Sequence, residues 1–328
     1  MENILLIRLK SIGDVLFTLP AVNAVRAHYP GAKITFLTSQ ENAPLLKGFQ
    51  AVDEILPLDR RHFHSGNPLK IIKAAAGLLS SLRRAPFSLA FDFQGFGETE
   101  LLAWWSGAPQ RWGIVYQPFR GWAYTGISLR QPAIHPADWN LELLRAAGLN
   151  PGLIANEYVL PDNDLAAARD YFTAQGLDGH RPTLFLQPFT SSPTKNWPLA
   201  NFIDLARHWH SAGGQIIFGG GPAERIALKP ARAAGFMVAA GTSLAVTAGL
   251  MKLSTVIVGA DTGVLHLAVA MKKRVIMLMR SNEPGHCIPY QHRDWTVIPR
   301  SGTLMETITL GQVIAAVEQG FAEQAPTT

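Results

Sequence analysis

Four stretches of this 328-residue chain combine residue types suited to a phosphorylated ligand and to proton transfer. In Arg8-Leu9-Lys10-Ser11-Ile12-Gly13-Asp14-Val15, Gly13 permits a tight turn and Asp14 stands at the mouth of a helix, as a cap or as a base. Gln187 to Pro198 gathers the hydroxyls of Thr190, Ser191, Ser192 and Thr194 with the ammonium of Lys195, the donors a pyrophosphate requires. Pro198 there suits the first turn of a helix, and a solvated polar turn is the plainer alternative. Phe218-Gly219-Gly220-Gly221-Pro222-Ala223-Glu224 lets the backbone approach a ligand, with Glu224 available to ribose hydroxyls, but it lacks the spacing of a dinucleotide fingerprint. Val258 to His266 runs from an apolar strand into a helix whose first amides can hold an anion. In that stretch Asp261 can equally cap the helix and His266 can equally be a core residue.

These stretches sit within an alternation of strands and helices. Apolar runs predict strands at 3–9, 33–38, 54–58, 87–92, 183–187, 214–218, 236–239, 255–259, 274–279 and 295–298. Helical patterns between them include 15–28, 68–84, 138–147, 198–212, 222–234 and 263–271. Such βαβ succession implies an α/β fold with mostly parallel sheets, and all four stretches leave a strand to open a helix, where doubly wound sheets bind ligands. The series runs twice, and the turn-rich segment from Asn150-Pro151 to Asp164 places a domain boundary near residue 160. The expected domains are therefore 1–160 and 161–328.

Composition narrows the classes of function. Hydrophobic residues make up 48% and charged residues 16%, yet no apolar run reaches the ~18 residues of a membrane span. The start of the chain reads as a first strand rather than a signal peptide, and the single cysteine, Cys287, excludes an internal disulfide, so a cytoplasmic protein is expected. The net charge of +5 is concentrated in residues 1–150, with 15 Lys and Arg against 11 Asp and Glu. Residues 60–91 hold Arg60, Arg61, Lys70, Lys73, Arg83 and Arg84 with no acidic residue, a pattern for an anionic partner or a solvated basic face. Helix 68–84 reads as amphipathic, with Ile71, Ile72, Ala75, Leu78, Leu79 and Leu82 opposite a polar stripe, which suits packing on its own sheet or contact with a membrane surface. No nucleic-acid recognition motif accompanies the basic patch, and nucleic acid is not an expected partner.

The run Ile7 to Leu16 with Thr18-Leu19-Pro20, the segment Lys195-Asn196-Trp197-Pro198, and Gly259-Ala260-Asp261-Thr262-Gly263-Val264-Leu265-His266-Leu267-Ala268-Val269-Ala270 together resemble the bacterial heptosyltransferases of glycosyltransferase family nine. The resemblance implies the GT-B architecture. In it, an acceptor-binding Rossmann-like domain and a nucleotide-sugar domain face each other across a cleft, and a C-terminal helix near 309–322 returns toward the first domain. It further implies Asp14 as general base, Lys195 as the phosphate-binding lysine, Glu224 as a ribose contact, and Asp261, Thr262, Gly263 and His266 as the donor motif. The implied donor is ADP-heptose and the implied acceptor the lipid A-linked inner core of lipopolysaccharide, met at the inner membrane face.

The expected chemistry is inverting transfer: Asp14 takes the acceptor hydroxyl's proton while Lys195, the hydroxyls of Thr190 to Ser192 and the amides after Asp261 stabilise the leaving diphosphate. Without an Asp-x-Asp pattern no metal or other cofactor is expected. The segment resembling Asp92-Phe93-Gln94-Gly95 is followed by Gly97-Glu98-Thr99-Glu100, where the family commonly has a basic residue facing the acceptor. Arg60, Arg61 or Arg120 is expected to supply that charge, and Gly13 to border the acceptor. A family member with another sugar or glycan, and a nucleotide-binding module without catalysis, are the competing readings.

Overall fold

The computed structural model describes residues 2–62, 68–84, 86–117, 119–153 and 155–324, and divides into two compact units, 1–158 and 159–328. The first unit runs β1 (Asn3–Ile7), α1 (Ile12–Leu16), α2 (Leu19–His28), β2 (Lys33–Ser39), β3 (Glu54–Leu58), α3 (Pro68–Arg84), β4 (Leu89–Asp92), α4 (Gly97–Trp105), β5 (Gln110–Val115), β6 (Gly126–Leu129) and α5 (Pro136–Ala146). The second runs α6 (Asp162–Ala174), β7 (Thr183–Gln187), α7 (Leu199–Ser211), β8 (Gln215–Gly220), α8 (Lys229–Ala233), β9 (Met237–Ala240), α9 (Leu244–Leu253), β10 (Val256–Ala260), α10 (Gly263–Ala270), β11 (Arg274–Leu278), β12 (Thr296–Val297) and α11 (Leu310–Gln324).

Each unit carries one six-stranded sheet, ordered β3-β2-β1-β4-β5-β6 in the first and β12-β11-β10-β7-β8-β9 in the second. Read from its own first strand, each is the same doubly wound order, and every pairing is parallel. Burial on both faces explains why the central strands read as nearly continuous aliphatic runs, such as Asn3–Ile7 and Val256–Ala260. The order reverses between β1 and β4 and again between β7 and β10, so the loops leaving these four strands meet pairwise at the switch points.

Several elements differ from expectation. Helix 15–28 is two helices, α1 and α2, separated at Phe17 and Thr18, because Pro20 cannot donate its amide into a continuous ladder. The 222–234 segment is a 3-10 turn (Pro222–Arg225) followed by the short α8, with Pro230 near its start. Strands β5 and β6 were not expected: β5 opens on Gln110-Arg111, and β6 is a four-residue edge strand with Ile127 and Leu129 exposed. The C-terminal helix spans Leu310–Gln324 and packs on the second sheet, with Val313 and Val317 buried in the core formed by β10, β11 and α7.

Helix α3 occupies the predicted span, but its apolar residues do not form one buried stripe. Leu78 and Leu82, one turn apart, enter the core with Leu102 and Ala103 of α4, whereas Ile72 is 64% and Leu79 37% exposed. The helix is apolar on more than one side, and a sheet can cover only one of them. The side chains of Lys70 and Ile71 lie outside the described residues. No helix among the described residues is long and apolar enough to cross a membrane.

Candidate active site

The loop after β1 is held by the loop after β4, its neighbour at the switch point. Buried Gln94 accepts hydrogen bonds from Leu9 N (2.9 Å) and Lys10 N (3.4 Å) through Oε1. Arg8 donates from Nε to Lys10 O and from Nη1 to Phe93 O, and its Nη2 lies 3.0 Å from Asp14 Oδ1. The other carboxylate oxygen, Oδ2, accepts from Ser11 N (3.0 Å) and Ser11 Oγ (3.2 Å). Asp14 is therefore not the N-cap; Ser11 is, and Asp14 reaches back from the third helical position. Gly13, expected to turn the chain, is buried inside α1.

Below this loop Asp92 is fully buried, receiving hydrogen bonds from Gln94 N, Gly95 N and the Tyr124 hydroxyl. Burial nevertheless raises its carboxyl above the ordinary range, and raises the Tyr124 hydroxyl as well, the latter helped by the Asp92 charge and hydrogen bond. Gly95 is obligatory in this turn: its φ is +71°, and an added Cβ would fall 1.7 Å from Ile114 O.

Lys10, Ser11, Ile12, Ser39, Glu41, Asn42, Arg60 and Arg61 line a cavity of about 610 Å³ in the first unit. Its arginines are already paired. Arg60 forms a two-pronged bridge to Glu98 (2.9 and 3.1 Å), and Arg61 Nη2 lies 2.7 Å from Asp59 Oδ2. Glu98, in the Gly97–Glu100 stretch that lacks the expected base, thus neutralises one cation expected to replace that base. Arg120 acts on Glu100, a buried carboxyl that burial and the Asp92 charge push up and that Arg120 and the Trp122 side chain pull down.

The second switch point brings the loop after β7 against the loop after β10. Lys195 Nζ lies 2.7 Å from Asp261 Oδ2, and His266 Nε2 lies 3.1 Å from Asp261 Oδ1. Burial pushes the Asp261 carboxyl up, but the bond and charge of His266, followed by those of Lys195, hold it below the ordinary carboxylate range. Thr262, not Asp261, is the N-cap of α10, and Gly263 is its first residue. His266 is buried as expected of a core residue, yet it touches Asp261.

The hydroxyl-rich loop is shaped largely by itself. Thr190 donates its hydroxyl to Ser192 O (2.8 Å) and bonds Asn196 Oδ1 through N (2.9 Å) and Oγ1 (3.0 Å), while Ser192 Oγ pairs with Thr194 Oγ1. Buried Trp197 anchors the loop through Nε1 to Ile308 O (2.8 Å), Pro198 is the N-cap of α7, and Ser191 is exposed. After β8, the Glu224 carboxylate lies over Gly221, where an added Cβ would meet it at 2.7 Å. All these loops leave the carboxyl edge of one parallel sheet.

Lys195 and Asp261 open onto a cavity of about 300 Å³ with residues that sequence reasoning did not single out: Arg280, Ser281, His286 and Thr303. Arg280 donates Nε to Thr303 O (3.1 Å) and has no carboxylate within ion-pair distance among the described residues. It is the cation left over once Lys195 and Asp261 offset one another. The available signal was a polar pair directly after the apolar run Val275–Met279, at the same strand-to-loop junction used by the other site residues. No group of three or more His, Cys, Asp or Glu placed to hold a metal occurs among the described residues.

Two doubly wound parallel sheets, with a lysine-carboxylate-histidine chain at the switch point of the second, give the fold of GT-B architecture. The chain belongs to glycosyltransferase family 9 (heptosyltransferase), whose model matches residues 76–306. It is 22% identical over 302 residues to the lipopolysaccharide core heptosyltransferase OpsX of Haemophilus influenzae, covering 89% of this chain and 83% of that one. In fold it is similar to a family 9 glycosyltransferase from Veillonella parvula (TM-score 0.85, 20% identity, 98% and 97% of the two chains). It is also similar to the E. coli heptosyltransferase WaaC with ADP (TM-score 0.80, 21% identity, 97% and 99%).

Proposed function

We propose that this glycosyltransferase moves a heptose from ADP-heptose to the lipid A-linked inner core of lipopolysaccharide, with inversion and without a metal or other cofactor. The observation that carries the reading is the Lys195–Asp261–His266 chain opening onto a cavity that also holds Arg280. Relatives named as lipopolysaccharide heptosyltransferases, and a WaaC structure with an ADP-heptose analogue, supply the sugar and the acceptor. As the glycosidic bond breaks, charge grows on the ADP diphosphate. Lys195, Arg280 and the first amides of α10 stabilise it, and one well-placed donor contributes about 2–4 kcal/mol to such a barrier. Asp261 orients Lys195, and Glu224 and Thr262 hold the nucleoside end of the donor.

Asp14 takes the acceptor hydroxyl's proton as that oxygen attacks the anomeric carbon. Arg8 and Ser11 fix the carboxylate, and Oδ1, which meets Arg8 alone, keeps a lone pair for the proton. Lys10, Arg60 and Arg61 border the acceptor's anionic groups, with Arg120 and Gly13 nearby on the same unit. The enzyme is cytoplasmic and meets its lipid-borne acceptor by peripheral contact at the membrane face.

The test is ADP release from ADP-heptose with a deacylated inner-core acceptor. Acceptor-dependent release that collapses in Asp14→Asn, with ADP binding retained, is the expected result. Folded protein that binds ADP but releases none with this pair would assign another sugar or acceptor, and absence of ADP binding would overturn the reading.

A further inference from the structure

Fourteen large hydrophobic residues are exposed among the described residues, and ten of them fall between 69 and 129. All five aromatic ones are there: Phe96, Trp104, Tyr116, Phe119 and Trp122. They form connected pairs, with Trp104 of α4 6.1 Å from Trp122 and Phe96 stacked 5.2 Å from Tyr116. The β5–β6 loop therefore lies along α4. Helix α3 is its neighbour: Leu78 and Leu82 share a core with Leu102 and Ala103, and Arg83 Nε donates to Trp105 O (2.8 Å). Both helices pack on one core, and Ile72 and Leu79 of α3 are exposed as well.

Charge around this area has one sign. Between residues 69 and 130 the sequence carries seven Lys and Arg against three Asp and Glu. Of those three acids, Asp92 and Glu100 are buried and Glu98 is paired with Arg60. Lys73, Arg83, Arg84, Arg120 and Arg130 are exposed, and Arg130 lies over the rings of Tyr116 (4.9 Å) and Trp139 (4.1 Å). Clustered aromatics of this area are unusual on a protein surface that faces only water.

We infer that this surface docks on an anionic phospholipid bilayer. Trp104, Phe119 and Trp122 enter at the headgroup level, where amphipathic rings are favoured, and the arginines and Lys73 meet lipid phosphates. The inference deepens the peripheral membrane contact proposed above, and rests on that reading only for the lipid-borne acceptor. A second copy of the chain is a poorer occupant, because a two-fold interface would set like charges against each other. Single-stranded nucleic acid is poorer too, because four of the five rings are already engaged with one another.

The experiment is co-sedimentation of the whole protein with phosphatidylcholine vesicles, with or without phosphatidylglycerol, following bound fraction and tryptophan emission. Wild type is expected to partition onto phosphatidylglycerol vesicles, with blue-shifted emission and weaker binding as salt rises. Trp122→Ser and, because Trp122 also contacts Glu100, the independent Phe119→Ser should each lower the partition coefficient at least tenfold. Lys73→Gln combined with Arg84→Gln should remove the preference for phosphatidylglycerol. Transfer to a soluble deacylated acceptor should be unchanged in all of them, so a failed transferase reading and a failed docking surface give different results. The inference is overturned if wild type ignores phosphatidylglycerol vesicles, if both aromatic variants bind as wild type does, or if they change only the oligomeric state.

Discussion

Arg8 and Asp14 are joined by an ion pair of 3.0 Å in which the arginine is also anchored to two backbone carbonyls, Lys10 O and Phe93 O. The Asp14 carboxylate, the proposed base, is thus aimed by the loop after β4 as well as by its own loop. Substituting Arg8 by Gln should leave ADP affinity intact while lowering kcat by about 10²-fold, since a misplaced catalytic group loses that much. Arg8→Lys, which keeps the charge but not the fork, should recover part of it. A change in donor KM with unchanged kcat would assign Arg8 to binding instead.

Asp14→Asn removes the proposed proton acceptor but keeps the hydrogen bonds that Ser11 donates to it. Acceptor-dependent turnover should fall by about 10²–10⁴-fold, the usual worth of a general base. Thermal stability should change little, because the ion pair with Arg8 is partly exposed. Turnover and unfolding temperature measured on one preparation check both parts.

In the cavity proposed to hold the donor, Arg280 has no carboxylate partner among the described residues, whereas Lys195 is bound to Asp261. Arg280→Ala should weaken ADP and ADP-heptose about tenfold, consistent with ~1.4 kcal/mol for one lost charge-assisted contact. Adenosine, which carries no phosphate, should bind both proteins alike. Calorimetric titration of the three ligands distinguishes this from a general loss of the site.

Much of this site is legible in the sequence because parallel strands buried on both faces read as aliphatic runs, and the polar residues that follow them mark the carboxyl edge. Asp14, Lys195 and Asp261 stand at such junctions, and the sheet order then makes neighbours of the β7 and β10 loops, which sequence separation hides. The Arg60–Glu98 bridge joins residues 38 apart and has no local signature. Arg280 was missed because the loop it opens carries one hydroxyl, Ser281, rather than the run of hydroxyls or glycines that drew attention elsewhere. Strand β6 escaped because an edge strand buries too little for a continuous apolar run, and its neighbour β5 because Gln110-Arg111-Trp112, its first half, is not buried. Helix α3 misled for the opposite reason, carrying more apolar residues than its sheet can cover.

The Asp261 carboxyl is held below its ordinary range, so the sign of its pH dependence is fixed. Above the unfolded value of ~3.9 the ionised group contributes its full stabilisation, and this is lost as pH falls through the lower folded value. The Asp261→Asn variant should therefore be less stable than wild type at pH 7 and show a smaller decline in acid. Urea unfolding of the two proteins from pH 7 down to the acid limit of folding measures the difference.

Asp92 has the opposite sign, because burial raises its carboxyl despite the bonds from Tyr124, Gln94 and Gly95. A raised folded value means stability is greatest below the unfolded ~3.9 and declines as pH rises through the folded value. Asp92→Asn, whose oxygen still accepts from Gln94 N and Gly95 N while its amide donates to the Tyr124 hydroxyl, carries no charge and should flatten that decline. Tyr124→Phe should instead steepen the loss on the alkaline side, since the carboxylate left in the core then lacks a donor, at a cost of about 1–3 kcal/mol. Parallel pH series of urea midpoints for wild type and both variants separate the two effects, and a Tyr124→Phe protein as stable as wild type at every pH would show that the hydroxyl does not support the buried charge.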